Sequence, residues 1–242
     1  MPFDTPIPID AQTSDPGTHE SEAGAPAGPA LALPDDAALL LIDFQDAIDD
    51  PVWGRRNNPG AEAVAARLLT SWRAAGRPVI HVQHLSPDPR SPYRPGQPGV
   101  EFRTALRPFS GEVVVQKATT NAFVDTGLEA LLRQQGIATL VVAGLITNKS
   151  VEATVRMAGN LGYRVLVVSD ATATIDTRDL EGRLWPAEQV YALSLANMHG
   201  SYGTVADSRS ILEAYGEADA EAFSGAAGES VAVAEPVLDY VI

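Results

Sequence analysis

The sequence predicts a doubly wound α/β domain, three layers deep (α/β/α), around a central and mostly parallel six-stranded sheet. Three observations lead there. Six short apolar runs rich in β-branched residues alternate with amphipathic stretches at helical spacing, the runs are apolar throughout, and several of the helical stretches stop at glycine. Continuous apolar character marks a strand buried on both faces, which a parallel sheet covered by helices provides.

In chain order the strands are expected at AALLLIDF (37–44), PVIHVQHL (78–85), EVVVQK (112–117), TLVVAGL (139–145), RVLVVSDA (164–171) and GTVADS (203–208). Helices are expected at GAEAVAARLLTSWRAAG (60–76), GLEALLRQQG (127–136), SVEATVRMAGNLG (150–162) and PAEQVYALSLANMHG (186–200). These elements form one domain over residues 34–215. Residues 1–33 are rich in Pro, Gly, Ala, Ser and acidic side chains without periodicity and read as a flexible arm. Residues 216–242 read as an acidic tail, although the closing VAVAEPVLDYVI is apolar enough to dock on the body or a partner.

Composition excludes several functions. A net charge of −14, with no Lys or Arg before Arg55 or after Arg209, argues against nucleic acid and anionic membranes as partners. No apolar run approaches the roughly 20 residues of a membrane span, and no signal-peptide pattern opens the chain, so a cytoplasmic location is expected. With no cysteine there is neither disulfide nor thiolate chemistry. No glycine-rich dinucleotide or phosphate loop follows the first strand.

In a doubly wound sheet ligands bind beyond the carboxyl ends of the strands, so polar residues there carry the functional information. Asp43 follows LLLI, and a carboxylate directly after four buried residues is costly unless paired. Lys117 closes EVVVQK in the same way, and Ser150 stands where strand gives way to helix. One reading is a base, a cation and a nucleophile for attack on a carbonyl. The other is a buried Asp–Lys ion pair beside a serine that caps a helix.

These residues carry a resemblance. LLLIDFQDAI around Asp43, VIHVQH, VVQKATTNAFVDTGLEALLRQQGI around Lys117 and LVVAGLITNKSVEATVRMAGNLGYRVLVVSDATAT, in that order, resemble the isochorismatase-like hydrolases, or cysteine hydrolase superfamily. The resemblance implies a catalytic Asp, Lys and Cys, which fall on Asp43, Lys117 and Ser150, so serine stands where the family has its nucleophile. It further implies a cis peptide between Leu145 and Ile146, an oxyanion hole made by the N–H groups of Ile146 and Ser150, and association as a homodimer or homotetramer.

The expected activity is cleavage of a C–N bond in a small amide, lactam or ureide without a cofactor. Vinyl ether hydrolysis with Asp43 as the acid is the alternative within the family, but TNKSVEAT follows the amidase-like pattern. A catalytically inactive binding protein and a cysteine-to-serine trapping variant are the others. No metal is expected, because no histidine follows Asp43 before His81, and His81 and His84 fall on opposite faces of their strand. Trp53, His84, Tyr93, Phe123 and Lys149 are candidates for the substrate pocket, each with an ordinary packing or surface role as the other reading. An inward Lys149 would favour an anionic substrate, and the Pro-rich loop SPDPRSPYRPGQPGV would cover the site.

Overall fold

The computed structural model describes residues 33–214. Apart from Leu33, the expected N-terminal arm and acidic tail lie outside the described residues. Strands β1 (Ala38–Ile42), β2 (Val79–His84), β3 (Val113–Lys117), β4 (Thr139–Leu145) and β5 (Arg164–Ala173) are followed by a short hairpin, β6 (Thr177–Arg178) and β7 (Leu184–Trp185), and by β8 (Thr204–Ala206). Helices α1 (Ala61–Ala74), α2 (Leu128–Gln134), α3 (Glu152–Asn160) and α4 (Ala187–Met198) lie between strands, and α5 (Ser208–Ala214) follows β8.

Six strands form one parallel sheet in the order β3-β2-β1-β4-β5-β8. Side chains alternate across a strand, so each central strand feeds two cores. From β1, Leu40 and Ile42 join α2 and α3 on one face, while Leu39 and Leu41 join α1 and α5 on the other. Every residue of β1 and β4 is buried, which explains their unbroken apolar sequences. The predicted six-stranded α/β/α architecture is therefore present, with the main sheet wholly parallel. The β6–β7 hairpin and α5 had not been expected. Among the described residues no helix is long and apolar enough to cross a membrane.

The chain leaves β1 toward β2 and β3 and returns to β4 on the other side of β1, so the order reverses between β1 and β4. Crevices open at such a point. Here the two strands also press together. Gly144 lies opposite Ile42 in register, and a Cβ added to it would come 2.6 Å from Ile42 Cβ and 2.7 Å from Ile42 O. Only glycine fits that approach.

Two local departures shape the site. The pairing of β4 with β5 shifts between Val142 and Gly144, so that Val142 faces Val167 but Gly144 faces Thr172. That shift brings Thr172 and Thr174 alongside the segment that follows β4. The second departure corrects the sequence reading, which begins a helix at Ser150. A π-type turn over Thr147–Val151 precedes α3, and both Lys149 N–H and Val151 N–H donate to Ile146 O. Ser150 is inside this turn and does not cap α3.

Candidate active site

Asp43 is the first residue beyond β1 and has φ of 54°, a left-handed conformation that aspartate tolerates better than most residues. Its N–H donates to Val82 O at 3.0 Å, which fixes it against β2. Lys117 ends β3 in register with His84 of β2. Its ammonium, fully buried, spends its three hydrogens on Asp43 Oδ2 at 2.7 Å, Thr119 O at 3.1 Å and Ser150 Oγ at 3.2 Å. Lys117 Nζ is thus the common point of the three strand-end residues. The other Asp43 oxygen, Oδ1, is buried without a hydrogen-bond partner.

Threonines hold the serine turn. Thr147 Oγ1 and Thr172 Oγ1 are 2.8 Å apart, Thr172 Oγ1 donates to Gly144 O at 2.7 Å, and Thr174 Oγ1 donates to Asn148 Oδ1 at 2.5 Å. The Leu145–Ile146 peptide is cis. On the opposite side buried Gln45 donates to His84 O and Val100 O at 3.0 and 2.9 Å and accepts from His84 N–H at 2.7 Å. Gln45 therefore ties the end of β1 to the end of β2. Sequence reasoning passes over these residues, since each is an ordinary polar side chain until the fold gives it a partner.

Above the three residues lies a cavity of about 500 Å³ whose lining includes Asp43 and Ser150. Trp53, His84, Tyr93 and Lys149, four of the five pocket candidates, also line it, as does Ile146. Phe123 does not. It is buried in the core and its ring lies tilted against that of Tyr163, with centroids 5.9 Å apart, so its proposed place in the pocket wall is corrected. Val52, Ser86, Asp88, Arg90, Ser91 and Thr120 complete much of the wall without having been singled out in the sequence. They sit on loops after β1, β2 and β3, where the strand-end rule points, but loop residues carry no periodicity to mark them individually.

Electrostatics distinguish the wall from the floor. Burial and the nearby Lys117 charge lower the His84 pKa from its ordinary value, which favours a neutral imidazole. Its ring meets Tyr93 edge-on at 5.4 Å, and burial together with the Asp43 charge raises the Tyr93 phenol. Lys149 is exposed, yet partial loss of water around its ammonium lowers its pKa. His81 points away from the cavity and pairs with Glu112 at 2.9 Å. Among the described residues no group of three or more His, Cys, Asp or Glu side chains could hold a metal ion.

The chain is similar to known proteins. The isochorismatase family protein YrdC of Bacillus subtilis is 38% identical over 168 residues, covering 69% of this chain and 90% of its own. Maleamate amidohydrolase of Pseudomonas putida is 30% identical over 171 residues, covering 64% and 80% respectively. A crystal structure of an isochorismatase family protein from Chromobacterium violaceum has 52% identity and a TM-score of 0.76, and it covers 78% of this chain and 98% of its own. Residues 37–210 match the isochorismatase domain, and the chain belongs to the isochorismatase family of hydrolases.

Proposed function

We propose that the protein hydrolyses the C–N bond of a small amide, lactam or ureide, with Ser150 as nucleophile, Asp43 as general base and Lys117 as the cation that orients both. The observation that carries this reading is the meeting of Asp43 Oδ2 and Ser150 Oγ at Lys117 Nζ, 2.7 and 3.2 Å away, on the floor of the cavity. Similarity to an amidohydrolase supports the choice of bond.

An alcohol is far less acidic than a thiol, so no standing alkoxide is available and proton removal must accompany attack. Asp43 Oδ1, buried and unpartnered, is the acceptor left for that proton. As the Ser150 Oγ–carbon bond forms, the carbonyl π pair moves to oxygen, where the N–H groups of Ile146 and Ser150 would receive it. Collapse of this adduct breaks the C–N bond. The nitrogen takes the proton from Asp43 and leaves, and the acyl group remains on Ser150. Water then gives a proton to the same carboxylate, attacks the ester, and releases a carboxylic acid with restoration of the serine hydroxyl. The same reading has the protein act in the cytoplasm as a homodimer or homotetramer, which fractionation and light scattering test.

Ammonia release from a panel of small amides, lactams and ureides tests the chemistry, with the protein compared to Ser150→Ala and Ser150→Cys. Activity in the Ser150 protein that disappears in the alanine variant is expected. Activity confined to the cysteine variant would mean that serine disables the site.

A further inference from the structure

The charges around the cavity do not cancel. Asp43 is paired with Lys117, and at the rim Asp88 is paired with Arg90 at 3.2 Å. Lys149 also lines the cavity, and among the described residues it makes no ion pair. Its ammonium faces the Trp53 ring instead, 5.2 Å from the centroid, and the indole is fixed in place by its own N–H bond to Ala47 O at 2.8 Å. An aromatic face attracts a cation without neutralising it, so an acceptor of negative charge is still missing. The lowered pKa fits that state, because loss of water with no anion supplied disfavours the charged form.

The scarcity of lysine adds weight. The sequence has only two, Lys117 and Lys149, in a chain of net charge −14. A local unpaired ammonium beside the serine is what would attract an anion to this cavity. The neighbouring wall, with Trp53, Pro92, Tyr93 and Leu145, is suited to an apolar body.

We propose that Lys149 seats an anionic end of the substrate, a carboxylate in the first instance, while the scissile carbonyl lies at Ser150. The proposal rests on the amide-hydrolase reading and names its substrate class. Lys149 and Ser150 line one cavity of about 500 Å³, so in this proposal the carboxylate and the amide are joined by a short spacer. The substrate is then a short-chain amide that also carries a carboxylate, in preference to its neutral diamide.

Succinamate and succinamide test this, since they match in length and differ in charge at the far end. Calorimetric titration of the Ser150→Ala protein keeps either probe intact. Succinamate should bind at least about tenfold more tightly than succinamide, Lys149→Met in the same background should abolish the difference, and Lys149→Arg should retain most of it. Equal affinity, no binding of either probe, or a preference that survives Lys149→Met overturns the proposal. Ammonia release by the Ser150 protein separates the two readings. Lysine-dependent selective binding with no hydrolysis would remove the hydrolase reading and leave the anion site standing, whereas hydrolysis of both probes without preference would do the reverse.

Discussion

Lys117 reaches Ser150 Oγ at 3.2 Å, whereas Asp43, held by the same ammonium at 2.7 Å, makes no hydrogen bond to the serine. The cation is therefore the hub of the site, and under the proposed chemistry the carboxylate would contact the hydroxyl through its unpartnered oxygen when attack begins. Asp43→Asn keeps the shape and removes the base, and turnover in an ammonia-release assay should fall about 10²–10⁴-fold. Lys117→Met leaves a buried carboxylate alone. Its larger signature is a stability loss of about 3–5 kcal/mol in urea denaturation.

Phe123 separates a wall residue from a core residue. Replacement by alanine empties a buried volume beside Tyr163, and unfolding free energy should drop by about 3–5 kcal/mol. Because the ring does not line the cavity, KM should stay within about twofold of the parent value. A large rise in KM with little change in stability would return Phe123 to the pocket wall.

Acid sensitivity is expected from the far end of β2 and β3. Burial alone would raise the Glu112 carboxyl, but hydrogen bonds from Arg73, His81 and Phe109 N–H outweigh it and hold the pKa at about 2, below the ordinary 4.5. A depressed carboxylate contributes stability above its unfolded value and loses it as pH falls, here from about 4.5 toward 2, by roughly 3 kcal/mol. Burial also lowers His81 from 6.5, so the unfolded chain takes up that proton first and the loss begins below about that pH. Denaturation midpoints measured from pH 7 to 3 should decline, and Glu112→Gln should flatten the part below 4.5.

Gly144→Ala places a methyl against both the side chain and the carbonyl of Ile42. Backbone must move to admit it, and a cost of at least about 1–3 kcal/mol is expected from overpacking. Since Asp43 and Ser150 follow the two strands concerned, activity measured well below the melting transition should fall as well.

Much of this arrangement is legible in the sequence because it is costly there. A carboxylate after LLLI and a lysine after VVVQ stand out against buried neighbours, and the fold that buries them also says where they meet. The π-type turn is not legible, since one extra residue per turn at Thr147–Val151 leaves the apolar spacing of Val151, Val155 and Ala158 intact. Phe123 is ambiguous for another reason. An aromatic residue in a loop reads alike whether it faces a cavity or the core, and only the position of Tyr163 decides. The wall residues Val52, Thr120 and Arg90 depend on how three separate loops fold over one rim, which no local pattern encodes.

The hub at Lys117 links positions 74 residues apart on one side and 33 on the other, through strands that are not neighbours in the sheet. During folding, an intermediate that has joined β1 to β2 alone holds the Asp43 carboxylate without its counter-ion, and one that has added β3 but not β4 has the charge pair without the hydroxyl. Under the proposed chemistry neither can turn over substrate. Recovery of activity on refolding therefore reports completion of the central sheet and should trail the return of helical and strand signal rather than accompany it.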